Sequence, residues 1–140
     1  MLVWCGVFMV GDSVSSKGKV SIRIPEHGRD RVSSFEVTLH RNGAYIFEGE
    51  KFTRVLGHRK TEVDLVFVAT IFEAMEELNF FQLKVEGRPL LPGNVLVTTC
   101  MTVGAKKRCI SHNRNEAFSD RLHEIERKII AIARQKGWVN

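Results

Sequence analysis

Hydrophobic and polar positions alternate first at residues 20–24, where Val20, Ile22 and Ile24 are separated by Ser21 and Arg23 before Pro25 ends the run. A period of two places one set of side chains on each face of a strand, and a proline stop suits a half-buried or edge strand. Charged and small residues from Glu26 to Ser34 read as a loop. Phe35, Val37 and Leu39 then alternate up to Asn42-Gly43, and a second apolar run follows from Ala44 to Phe47. Asn-Gly between two such runs predicts a two-residue hairpin turn, because both central residues of that turn need positive φ. In that register Leu39, Val37 and Ile46 face one way, and Tyr45 and Phe47 face the other with His40 and Thr38. The run Lys51 to Leu56 is read as a further strand, followed by a polar turn from Gly57 to Thr61.

The period then changes. Asp64 is a helix N-cap, its carboxylate accepting from free first-turn amides, and Leu65, Val68, Phe72, Met75 and Leu78 follow at helical spacing. Asn79 is the predicted stop, after which Phe80, Phe81 and Leu83 pack back. Glu86 to Asn94, with two prolines and two glycines, reads as a surface connection. Val95–Val103 and Lys106–Ser111 form a second hairpin around Gly104-Ala105, with glycine at the first loop position as a type II′ turn requires. From about Glu116 to Gln135 a second helix carries Phe118, Leu122, Ile125, Ile129 and Ile132 on one stripe, with Arg121, Glu124, Arg127, Lys128 and Arg134 around it. Gly137 closes that helix and Trp138 caps the core. The predicted fold is α+β: an antiparallel sheet of four to six strands with two amphipathic helices on one face, in the order β-β-(β)-α-β-β-α.

Composition agrees with one soluble domain: 140 residues, 44% hydrophobic and 26% charged. Residues 20–140 form the predicted domain, and residues 1–19 an apolar segment with a linker. The opening MLVWCGVFMV is too short to span a bilayer and lacks a preceding basic region, so no standard signal peptide is visible. It reads equally as a first strand, a cropped signal or a translated extension. The cytoplasm follows from the chain as written, the envelope or periplasm from a cropped signal. The net charge of +5 favours acidic partners, yet the basic residues are scattered and no run of five or more occurs.

The run SFEVTLHRNGAYIFEGEKF, the NFFQL about thirty residues later and the closing amphipathic helix with Trp138 together resemble an uncharacterised bacterial domain family. The likeness covers about Val20 to Trp138 and rests on turn and packing positions. Members of that family commonly carry a CFGxCPxY segment before the first hairpin strand, often in lipoproteins or secreted proteins. Here the corresponding residues run from Gly28 to Phe35 and lack both cysteines and the proline. The resemblance implies a fold and transfers no biochemical function.

Candidate chemistry is sparse. The Gly104-Ala105 turn places Cys100 opposite Cys109 at a non-hydrogen-bonded pair, where Cα atoms lie about 4.5 Å apart, so a reducible disulfide is geometrically open and two free thiols are the alternative. A metal site from Cys100, Cys109 and His112 is disfavoured because Cys109 and His112 project to opposite faces. The five histidines are spread over separate segments, and Glu76-Glu77 and Glu48/Glu50 lie where solvated faces would have them. No cofactor motif occurs. Tyr45 and Phe47 beside His40 would give the sheet a gripping face if exposed, the alternative being that the apolar segment from Val7 to Val10 covers them as a second small core. Two basic groups, His58, Arg59, Lys60 and Lys106, Lys107, Arg108, would form one anion-facing edge if their turns were neighbours, and otherwise read as charged tips that guard sheet edges against aggregation. The expected function is a non-enzymatic interaction domain engaging a protein partner. The alternative is a nucleic-acid binder using the same aromatics and basic residues.

Overall fold

The computed structural model describes residues 18–24, 34–84, 96–113 and 120–139. Four strands come first: β1 (Lys19–Ile24), β2 (Ser34–His40), β3 (Ala44–Lys51) and β4 (Gly57–Glu62). Helix α1 (Leu65–Glu77) follows, then a single 3₁₀ turn (Phe80–Gln82), the hairpin β5 (Leu96–Val103) and β6 (Lys106–Asn113), and helix α2 (Asp120–Gln135). The strands form one six-stranded antiparallel sheet in the order β4-β3-β2-β1-β5-β6. β1 is therefore central, hydrogen-bonded to β2 on one side and to β5 on the other. The α+β class stands, with a complete four-stranded run ahead of the first helix.

The sheet has one dry face. Val20, Ile22, Ile24, Phe35, Val37, Leu39, Val97, Met101 and Ile110 alternate toward it and pack with Val68, Ile71, Phe72 and Met75 of α1 and Leu122, Ile125 and Ile129 of α2. Burying each such side chain contributes roughly 1.5–3 kcal/mol against its ordering entropy, so this layer is what holds the helices down. Helix α1 begins as its sequence dictates: Asp64 Oδ1 accepts from Val66 N at 2.8 Å. It ends at Asn79, which adopts the left-handed conformation at φ 58°.

Two expectations about the strands are corrected. Lys51 to Leu56 is not a further strand: Lys51 ends β3, Phe52 turns the chain at φ 55°, and the next strand is Gly57–Glu62, which takes in the stretch expected to be a turn. Its sequence GHRKTE shows no alternation because, as an edge strand, it exposes nearly every residue. The second correction concerns the first hairpin. Gly43 N donates to His40 O at 3.0 Å and Leu39 pairs with Tyr45, so three residues, Arg41, Asn42 and Gly43, form the turn. Only Gly43 has positive φ, at 94°; Asn42 does not, and instead its side-chain oxygen accepts from Ala44 N at 3.0 Å. One extra turn residue shifts the register by one and moves every side chain of β3 to the opposite face.

The second hairpin keeps the expected register, Cys100 opposite Cys109, with φ 60° at Gly104. Cys100 and Cys109 are joined in a disulfide. The apolar N-terminal segment, the loop carrying the altered CFGxCPxY stretch, the connection from Glu86 to Asn94 and the expected start of α2 around Phe118 lie outside the described residues.

Candidate functional site

The register shift decides the fate of the predicted aromatic face. Tyr45 and Phe47 are fully buried on the helix side of the sheet, opposite Leu39 and Val37, and Ile46 takes the outer position beside Thr38. Trp138 lies over both rings, with centroid separations of 6.4 Å to Tyr45 and 5.4 Å to Phe47. The Tyr45 hydroxyl donates to Ile129 O of α2 at 2.7 Å, and burial pushes the phenol well above its ordinary range. These aromatics are core, not a gripping surface.

The basic residues are also redistributed. Arg59 and Lys60 lie on β4 at one sheet edge, and Lys106, Lys107 and Arg108 on β6 at the other. Five strand intervals separate them, about 24 Å at ordinary strand spacing, so they do not form one anion-facing edge. Arg59 Nη1 donates to His58 O at 2.8 Å. Arg108 turns inward, donating to Phe80 O at 3.0 Å and to Leu83 O, and so caps the carbonyls of the 3₁₀ turn. His40 stays on the outer face, where partial burial and then the positive charges of Lys19 and Lys60 lower its pKa from the ordinary histidine value.

A different cluster assembles where α2 crosses β5 and β6. Thr99 on β5 and His112 on β6 project to the dry face from adjacent strands, and Glu126 of α2 meets both. Thr99 Oγ1 donates to Glu126 Oε2 at 2.5 Å, and His112 Nε2 lies 2.8 Å from Oε2 and 3.0 Å from Oε1. All three residues are buried, Glu126 to 3% exposure. A carboxylate in that setting is tolerated only when hydrogen-bonded and paired, which these two partners provide. Chemically the trio is a clamp: Thr99 donates to the carboxylate and not to the imidazole, so no hydroxyl is prepared as a nucleophile.

Beside this clamp α2 opens a pocket of about 170 Å³. Ile24 of β1, Val97 of β5 and Ile130 make its apolar floor, Glu126 its wall, His123 a polar member, and Arg127 and Arg134 its cationic members. The spacing of 123, 127, 130 and 134 lays these four side chains along one stripe of the helix. Among the described ion pairs none engages Arg127 or Arg134, whereas Arg121 and Lys128 of the same helix are bound to Glu77 and Glu124. The one acid among the described lining residues, Glu126, is committed to Thr99 and His112.

None of this trio stood out from sequence as a site, although a signal existed. Glu126 falls four residues after Leu122 and four before Ile130, on the apolar side of α2, where an acid is out of place. His112 continues the inward alternation of Ile110 on β6, and so does face away from Cys109.

Among the described residues no cluster of three or more His, Cys, Asp or Glu side chains is placed to hold a metal ion, and no helix is long and apolar enough to cross a membrane. No curated protein matches the chain. A family profile does match, over residues 29–133, which takes in five of the six strands, helix α1, all but the last two residues of α2 and the whole Thr99–Glu126–His112 clamp. The chain belongs to the DUF6438 family, a domain of unknown function.

Proposed function

We propose that this domain is a non-enzymatic binding module whose α2 pocket receives an acidic segment of a protein partner. The observation that carries the reading is the pair Arg127 and Arg134, set around an apolar floor with no described intramolecular acid to neutralise them. Guanidinium groups bind carboxylates through two parallel hydrogen bonds, and an apolar floor adds a place for an aliphatic side chain next to the acid. The net charge of +5 speeds the encounter of such a partner. The nucleic-acid reading has lost its stacking platform, since Tyr45 and Phe47 are buried under Trp138.

Fluorescence polarisation with labelled peptides of alternating Glu and Leu, and with single- and double-stranded oligonucleotides, tests the proposal. Peptide binding that weakens with salt and falls about tenfold or more in Arg127→Glu/Arg134→Glu is the expected result. Oligonucleotides binding more tightly than any acidic peptide, or peptide binding indifferent to the double substitution, overturns it.

A further inference from the structure

The Cys100–Cys109 disulfide lies apart from the α2 pocket, on the sheet face opposite the two described helices. Its neighbours along each strand, Thr99 and Met101 on β5 and Ile110 on β6, point into the core, so the cysteines themselves point out. Eight residue pairs already hold β5 to β6, and the two Cα atoms are 4.0 Å apart within that ladder. The bond closes nothing that the hairpin leaves open and fills no part of the core. A covalent link so placed is exposed to chemistry.

Thiol–disulfide exchange needs a thiolate to approach along the S–S axis, from the side opposite the departing sulfur. Here that axis runs from strand to strand. Behind Cys100 stands β1, with Ser21 directly opposite in register, and Cys100 is half-buried. β6 is the last described strand of the sheet, so among the described residues no strand stands beyond Cys109, and Cys109 is exposed. The two sulfurs are therefore unequal targets. Lys107, exposed and two residues from Cys109 on the same face, and Lys19, paired in register with Thr102, make the surroundings cationic. No acid projects from this face of β5 or β6. Positive charge draws in an attacking thiolate and stabilises the one that leaves.

We propose that Cys100–Cys109 is a thiol-exchange site at which the thiolate of a dithiol, free or on a protein, attacks Cys109 Sγ from the open edge of β6. The new bond is a mixed disulfide between the attacking sulfur and Cys109, and the S–S bond that breaks releases Cys100 as a thiolate, which takes up a proton. The second sulfur of the dithiol then attacks the first, freeing Cys109. Two electrons and two protons pass from the dithiol to the protein, leaving two cysteine thiols and an oxidised reductant. The core is untouched, so the folded chain carries out both steps.

The test uses the full chain with Cys5→Ser, treated with reduced glutathione in native buffer, acid-quenched, and mapped by peptide mass spectrometry while circular dichroism follows the fold. An adduct on Cys109 with the spectrum unchanged is expected, and Lys107→Glu should slow its formation about threefold at moderate salt. Dithiothreitol should then yield both thiols in the folded protein. An adduct on Cys100, an unchanged rate in Lys107→Glu, or reduction that occurs only as the chain unfolds each overturns the proposal.

Discussion

Glu126 sits at the junction of three elements, and its environment sets what its removal costs. Thr99 and His112 both direct polar atoms at its carboxylate, and all three residues are buried. Glu126→Ala strands two buried polar side chains at once, and breaking a buried pair from one side costs about 3–5 kcal/mol. Glu126→Gln keeps one oxygen to accept from Thr99 and His112, and loses the charge and the second acceptor oxygen, which becomes an amide NH2, a cost of about 1–2 kcal/mol. Urea denaturation of the two variants should show that ordering; equal losses would mean that volume, and not the polar clamp, is what Glu126 supplies. Both variants leave Arg127 and Arg134 in place, so they separate the stability of the pocket's wall from its affinity. The clamp is hard to read from sequence because its members lie on β5, β6 and α2, and only the topology makes them neighbours. What sequence does show is each residue's misfit, a polar group at an apolar position of its own strand or helix.

At the scale of elements, a single turn residue divides what was legible from what was not. Helix α1 with its Asp64 cap, the stop at Asn79, the β5–β6 register and the buried Leu122, Ile125 and Ile129 of the α2 stripe follow local rules, and the structure has them where the pattern places them. The β2–β3 hairpin also exists where Asn42-Gly43 predicts it, yet its turn has three residues and not two. Both turns suit an Asn-Gly sequence, and what selects between them is the tertiary gain of burying Tyr45 and Phe47 under Trp138. Strand β4 was missed for the opposite reason, since an edge strand exposed on both faces has no period to detect. The turn glycines give a direct comparison. Gly43 and Gly104 both hold positive φ, and alanine at either costs about 1 kcal/mol for that alone. A Cβ at Gly43 would also meet Val63 O at 2.9 Å, whereas one at Gly104 meets nothing within 4 Å. Val63 N in turn donates to Gly43 O at 2.8 Å, so that backbone has little room to retreat. Thermal melts should therefore show Gly43→Ala more damaging than Gly104→Ala by about 1 kcal/mol or more, and equal losses would place the turn away from the β4–α1 connection.

Across the whole molecule the sheet's two edges differ in character. At the β4 edge lie Arg59, Lys60 and the Glu48–His58 pair; at the β6 edge lie Lys107 and the disulfide; the Arg-bearing pocket belongs to neither. What joins the halves is the layer beneath α2, and Tyr45 is its internal reporter. It is the one tyrosine of the chain, so phenolate absorbance reads this site alone. Burial holds its proton in the folded state well above the ordinary value near 10. The sign follows from linkage. Below pH 10 both states keep the proton and the contribution to stability is complete; as pH rises above 10 the unfolded chain gains by releasing it and the folded chain does not, so stability is lost. Alkaline titration should show no phenolate until the near-ultraviolet circular dichroism collapses, and then both changes together. Tyr45→Phe gives up the hydrogen bond to Ile129 O, about 1 kcal/mol at neutral pH, but loses stability less steeply above pH 10 because the group that titrates is gone. A gradual phenolate signal near pH 10 in a chain that remains folded would mean that water reaches Tyr45 from beneath Trp138, and would return β3 to the register in which its aromatics face outward.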